Sequence, residues 1–332
     1  MNLSRQNFVK IAQILLMMCS SLSIIPAYAQ DVSSFPSKPI RLIVGFSAGG
    51  ISDVLARALS AKLANNIGQG VIVENKPGAG TTIAADYVAK SSPDGYTLFL
   101  QDMTTHAINV GLYKSLPYDV VKDFSPITLV ASTPLMLVVN PSLKVNNLKE
   151  FMVVAKATSK KLAYASSGNG TVPHLAAETF NQMLGIEPVH VPFKGSSPAT
   201  QAVLAGDVGF TFSSMPPALS LVQGKKLIAL GVTTKNRVNA VPDVPTISEA
   251  GLPGYEFVLY SGILGPKGMS PELVKKINQL FVDVVNSSEM KQVYASIGAD
   301  PITNTPTEFT VHMNQEVIKM VKAVKVAGAH ID

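Results

Sequence analysis

Cysteine, tryptophan and dense charge are what this sequence has least of. Its 332 residues include one cysteine, no tryptophan and only 15% charged side chains. The cysteine, Cys19, falls within an N-terminal stretch that reads as an export signal, so the mature chain is expected to contain none. That excludes disulfides, thiolate metal ligands and a cysteine nucleophile. Losing Arg5 and Lys10 with the signal takes the formal charge from +5 to +3. The remaining basic residues are spread along the chain, which argues against nucleic acid as a partner. No later run is long and apolar enough to span a bilayer.

The signal itself is built from Arg5 and Lys10, a mostly apolar stretch from Ile11 to Ile25, and Ala27-Tyr28-Ala29, a small-x-small cleavage site. These features predict cleavage after Ala29 and a location outside the cytoplasm. Met18 before Cys19 is a poor context for a lipid anchor.

The mature chain alternates strand and helix. Ile40–Gly45 reads as a buried strand feeding the glycine-rich turn Phe46-Ser47-Ala48-Gly49-Gly50. A helix is expected over Ser52–Asn66, with Ser52 as N-cap and Asp53 complementing the dipole. Strands at Val71–Glu74 and Thr97–Gln101 flank a helix at Thr81–Ser91. A second series runs through Leu135–Val139, Leu148–Thr158, Leu162–Ala165, Val172–Leu184, Val189–Val191, Pro198–Ala205, Val208–Phe212, Pro216–Gln223 and Leu227–Val232. A strand at Phe257–Leu264 and three helices close the chain. This is an α/β pattern of two lobes, each a Rossmann-like, mostly parallel sheet flanked by helices, with a cleft between them. The extended segments Ile127–Val139 and Tyr255–Gly265 are the expected hinges. Residues 30–132 and 255–332 would form one lobe and residues 133–254 the other, after the signal at 1–29.

Enzyme motifs are missing. No Gly-Lys-Ser/Thr comes after the first strand, and there is no His-Glu-x-x-His or Gly-x-Ser-x-Gly. Gly78-Ala79-Gly80 and Gly168-Asn169-Gly170 each begin a dinucleotide fingerprint, but Ile83 and Pro173 stand where its third glycine belongs. The five histidines are scattered singly, so nothing in the spacing asks for a metal, and no cofactor is expected. His174 reads as a satisfied helix residue and Lys194-Gly195 as a turn with a solvated charge. There remains a set of hydroxyl- and glycine-rich turns at strand ends: Phe46 to Asp53, Gln101 to His106, Ser166 to Thr171, and Ser213-Ser214. Hydroxyls and backbone N–H groups at helix starts hold a carboxylate without the cost of burying a cation.

The residues also match a family. Lys38-Pro39-Ile40-Arg41-Leu42-Ile43-Val44, Gly49-Gly50 with Asp53, Val73-Glu74-Asn75-Lys76-Pro77-Gly78-Ala79-Gly80, Pro93-Asp94-Gly95-Tyr96-Thr97-Leu98 and Thr105-His106-Ala107-Ile108-Asn109 occur in order. So do Leu116-Pro117-Tyr118-Asp119, Tyr164 to Thr171, Val189 to Gly195, Pro242-Asp243-Val244-Pro245-Thr246 and Glu249 to Tyr255. Over nearly the whole mature length the chain resembles the Bug proteins, periplasmic receptors of tripartite tricarboxylate transporters. The resemblance implies a two-lobed binding protein that closes on a small carboxylate and delivers it to large and small permease subunits. Its implied site is Phe46, Ser47, Ala48, Gly49, Gly50 and Asp53; Met103, Thr104, Thr105 and His106; Ser166, Ser167, Gly168, Asn169, Gly170 and Thr171; and Ser213 and Ser214. Relatives often carry prolines where Ser47-Ala48 stand and an aspartate where Ser213 stands. Without that acid, a ligand lacking an amino group is expected. A monomer is expected. The competing readings are an exported α/β hydrolase using a serine or histidine of the same cleft, and a sensor presenting its ligand state to a membrane kinase.

Overall fold

The computed structural model describes residues 34–327; the expected export signal and cleavage site, with Cys19, lie outside them. The apolar run Ile40–Val44 forms β1, followed by α1 (Ile51–Ile67), β2 (Val71–Asn75), α2 (Thr82–Ala89) and β3 (Thr97–Asp102). Strand β1 lies between β2 and β3, parallel to both, as expected of strand-helix-strand crossovers. No loop follows β3. The chain turns at once into α3 (Met103–Leu112), so the segment expected as a strand-end loop is a helix start.

The long strand β4 (Phe124–Val139) joins the two lobes. Its first part, up to Pro134, pairs antiparallel with β9 (Val258–Pro266), which pairs in turn with β3. From Leu135 onward it pairs instead with β7 (Phe210–Ser214) and β8 (Ile228–Val232). Pro134 stands at the switch, where a residue without an N–H ends one ladder without breaking it. The return crossing lies alongside. Thr233 accepts from Leu135 N–H at 2.9 Å and donates to Phe257 O at 2.7 Å, just before β9 begins.

The second lobe holds α4 (Leu148–Ala157), β5 (Ala163–Ser166), α5 (Val172–Leu184), β6 (Val189–Pro192), α6 (Ser196–Ala205) and α7 (Met215–Gln223) around β7 and β8. Strand β5 is parallel to β6 and β7. A short α8 (Ile247–Ala250) precedes the return. The chain ends with α9 (Pro271–Val285), α10 (Ser288–Ser296), the two-residue strand β10 (Asp300–Pro301) on β4, and α11 (Pro306–Ala327). Each lobe has its own core. One gathers Ile43, Phe99, Met103, Leu264 and Phe309; the other gathers Met136, Ala165, Val203, Met215 and Val232. Among the described residues no helix is long and apolar enough to cross a membrane.

Candidate ligand-binding site

Both lobes place strand ends at one cleft, and four helices start there. A cavity of ≈ 20 Å³ lies between Gly50, Ile51 and Ser52 at the start of α1, Asp102 at the start of α3, Ser167 and Pro173 around the start of α5, and Ser196, the first residue of α6. Phe46 and Leu259 supply its apolar wall. The volume matches about one water, so the lobes are closed on it. Two cross-lobe bonds hold this closure: Ser47 N–H donates to Lys194 O at 3.0 Å, and Val172 N–H to the Thr105 hydroxyl at 3.3 Å.

The α1 start differs from expectation. Gly50, not Ser52, is the N-cap, and no side chain caps it. Ser52 sits inside the first turn, buried, and its hydroxyl has no partner among the described residues. Gly49 has φ +84°, a left-handed conformation suited to glycine, and an added Cβ would lie 2.7 Å from the Ser197 hydroxyl across the cleft. Asp53 is buried and fully engaged. It accepts from Gly49 N–H at 3.0 Å, from Arg57 Nε and Nη2 at 3.0 and 2.9 Å, and from Asn75 Nδ2 at 2.9 Å. Burial alone would raise its pKa, but these donors outweigh burial and leave it below the ordinary value. Asp53 therefore shapes the loop from behind.

The residues from 102 to 106 divide between two faces. Asp102 is fully buried and caps α3. Its Oδ1 accepts from Thr104 and Thr105 N–H at 3.0 and 3.1 Å, and its Oδ2 from the Thr105 hydroxyl at 2.6 Å. Burial pushes this carboxyl up to about 7 against those hydrogen bonds. Met103 packs in the first core, and Thr104 Oγ1 contacts Val258 O at 3.4 Å beside the hinge. His106 also points into the core. Its Nε2 meets Val120 O at 2.9 Å, its ring stacks on Tyr118, and burial lowers its pKa to about 4. His106 thus lies away from the cavity that it was expected to line, because Tyr118 and Phe124 hold its ring on the core side of α3.

The second lobe's loop is closed mostly by its own hydroxyls. Thr171 Oγ1 donates to Gly168 O at 2.8 Å and accepts from Ser167 Oγ at 2.9 Å. Ser166 Oγ lies 2.6 Å from His190 Nε2 and within 3.2 Å of both Gly168 N and O. His190 stacks between Tyr164 and His174, and His174 Nδ1 accepts from Gly170 N–H at 3.1 Å. Ser166 is fully buried behind the loop, so this serine–histidine pair braces it. Gly170 is buried against Leu112, whereas Asn169 is exposed at the mouth. There a groove of ≈ 380 Å³ runs between Gly78 to Thr81, Asn169 and Lys194. Ser213 and Ser214 do not reach the cavity. They end β7, with Ser213 Oγ bonded to Thr200 Oγ1 at 2.7 Å and to Ser214 O at 2.9 Å.

Three of the four helix starts at the cavity, those of α1, α5 and α6, carry no side-chain cap. First-turn N–H groups of a helix have no intrahelical acceptor. At α5 Val172 N–H goes to the Thr105 hydroxyl and Pro173 has none, so α1 and α6 supply the donors, while all three dipoles add positive potential at one point. The arrangement suits an anion from two sides. No cluster of metal-ligating side chains occurs among the described residues.

Ile51 and Asp102 fall within the turns that the sequence singles out but are not among its named contacts, and Pro173, Ser196 and Leu259 were missed. For Asp102 the signal was present: an aspartate after an apolar strand, with Thr104 and Thr105 next, is an N-cap pattern. Ser196 was hidden because Pro198 looked like the helix start, although proline fits a first turn equally well at a later position.

The family model for the tripartite tricarboxylate transporter family receptor matches residues 55–328. Protein BugT of Bordetella pertussis is 33% identical over 302 residues, covering 91% of this chain and 93% of that protein. Among solved structures, R. palustris Rpa4515 with adipate superposes with a TM-score of 0.86 at 33% identity, covering 90% of this chain and all of that one. MatC from Rhodopseudomonas palustris with bound malate gives 0.83 at 31% identity, covering 87% of this chain and all of that one. The periplasmic binding protein BugD gives 0.86 at 29% identity, covering 90% of this chain and all of that one. With most of its length accounted for in this way, the chain belongs to the tripartite tricarboxylate transporter receptor family.

Proposed function

We propose that this protein is a noncatalytic periplasmic receptor that captures a small organic carboxylate in the cleft and presents it, with the lobes closed, to transporter permease subunits. The observation that carries this reading is the convergence of the uncapped starts of α1, α5 and α6 on one buried cavity. A carboxylate there would take N–H groups from both lobes and so favour the closed form. Relatives with adipate and with malate bound support the ligand class. The closed cavity is smaller than such acids, so the lobes would stand farther apart with ligand bound than they do here. The hinge for that motion is the pair of crossings at Pro134–Leu135 and Phe257–Val258. The main contact residues are Gly50, Ile51, Ser52, Ser167 and Ser196, with Asp53 positioning the first loop. We take export to end with cleavage after Ala29 and the receptor to act as a monomer.

A thermal-shift screen of mono-, di- and tricarboxylates tests this reading. An acid that binds only the folded state, present at 100 times its Kd, adds about 2.7 kcal/mol. If no acid in the panel stabilises the protein, the reading fails. Hydrolysis of carboxylate esters by the purified protein would favour the enzyme instead.

A further inference from the structure

The cavity wall carries an acid that the anion-binding reading does not use. Asp102 is fully buried, yet a carboxylate ligand would have to approach it. It is not misplaced: the start of α3 holds it with two N–H groups and the Thr105 hydroxyl. A carboxylate accepts about four hydrogen bonds, and Asp102 makes three within the chain. Oδ2 takes only one of them, so this oxygen keeps a lone pair.

The surroundings decide what that lone pair can face. The starts of α1 and α6 keep first-turn N–H groups for an anion, whereas at α5 Val172 N–H already goes to the Thr105 hydroxyl and Pro173 has none, and the start of α3 is occupied by Asp102 itself. The ligand's carboxylate therefore belongs at the starts of α1 and α6 and is repelled from an ionised Asp102. When Asp102 is ionised, above about pH 7, a ligand group lying against it must donate a hydrogen bond. A full cation there would face the positive ends of the other helices, whereas a hydroxyl carries no such penalty. Ser213, the position expected from the sequence to govern charge preference, is held by Thr200 away from the cavity.

Resting on the carboxylate-receptor reading above, we propose that Asp102 is a specificity-determining residue that accepts a hydrogen bond from a ligand hydroxyl, so that the cleft selects a hydroxycarboxylate over the same acid without the hydroxyl. An acid lacking the donor would bury Asp102 with a lone pair unmatched. A site built for a hydroxyl discriminates strongly against the analogue without it.

The test is calorimetric titration of the full mature protein with L-malate, succinate and L-aspartate, which share a four-carbon diacid frame. Wild type should bind malate at least about tenfold tighter than succinate, and tighter than aspartate. In Asp102→Asn, malate should weaken and succinate should tighten as the acid's repulsion is removed, bringing the two within about threefold. Asp102→Ser, which keeps a helix-capping side chain, should show the same collapse, and melting curves establish that both variants are folded. Equal wild-type affinity for malate and succinate overturns the proposal while leaving the carboxylate receptor standing. So does a malate preference that survives in either folded variant, or tighter binding of aspartate than of malate. Binding of none of these acids, nor of any acid in the thermal-shift panel, overturns the receptor reading and this proposal with it.

Discussion

Helix starts at the cleft and helix starts elsewhere are built differently. Away from the cleft, α4, α8, α9 and α10 are capped by Asn147, Thr246, Ser270 and Ser287, each accepting a first-turn N–H. At the cleft, α1, α5 and α6 begin at Gly50, Thr171 and Gly195 with no side-chain cap. A cap contributes about 1 kcal/mol, so three omissions at one place cost stability. The two other uncapped helices sharpen the contrast. The α2 start borders the groove at the cleft mouth, and α7 has Pro216 and Pro217 in its first turn, so it has few N–H groups to cap. At α5 Val172 N–H is taken by Thr105 and Pro173 has none, so the difference shows α1 and α6 as the places where donors are kept free for something other than the chain.

The largest expected effect comes from filling the α1 start. A Cβ on Gly50 would meet nothing nearer than Ser47 O at 3.8 Å, and its φ of −80° suits any residue. Gly50→Val should therefore fold normally and melt as wild type does. Its branches would occupy the cavity, and we expect carboxylate binding to weaken about 100-fold, or about 2.7 kcal/mol, by calorimetry. Unchanged affinity would mean the carboxylate does not sit at α1.

His106 separates the core face of α3 from its cleft face. It is held neutral, with its pKa lowered to about 4 chiefly by burial. A folded-state pKa below the unfolded value contributes stability that is present above about pH 6.5 and lost as pH falls toward 4. Urea unfolding at pH 7.5 and pH 5 should show wild type losing about 2 kcal/mol more than His106→Gln. An equal loss in both would show that His106 is not buried neutral.

Asp53 tests whether loop shape alone matters at the cleft. Asp53→Asn removes the charge that holds Arg57 and weakens the bond to Gly49 N–H, and should cost about 1–2 kcal/mol of stability. Binding should weaken too, by less than in Gly50→Val. A variant with full stability and no binding would instead make Asp53 a direct ligand contact. Asn147→Ala supplies the smallest effect and the control: about 1 kcal/mol lost in urea melts, with carboxylate affinity unchanged.

Much of this was legible in the sequence. The strand Ile40–Val44, the glycine turn behind it and the span of α5 from Val172 to Leu184 emerge from apolar spacing and Gly/Pro punctuation. The α3 start did not, because Thr104, Thr105 and His106 resemble a loop after a strand, and only Asp102 as N-cap makes them helical. Ser52 has the side chain of a cap but lies inside the helix that Gly50 opens. Ser213 and Ser214 looked like a loop, yet pairing with Leu135 and Met136 draws them into β7. Local patterns located the turns; which face of each turn meets the cleft depended on tertiary pairing that no local pattern carries.

Free N–H groups at the starts of α1 and α6 are the proposed ligand donors, and site-resolved amide hydrogen exchange, with and without saturating L-malate, measures them directly. Exchange is expected to slow strongly at Ile51, Ser52, Ser196 and Ser197, while the first turn of α4, at Leu148 to Glu150, exchanges as before. Bound malate with unchanged exchange at Ile51, Ser52, Ser196 and Ser197 would contradict it.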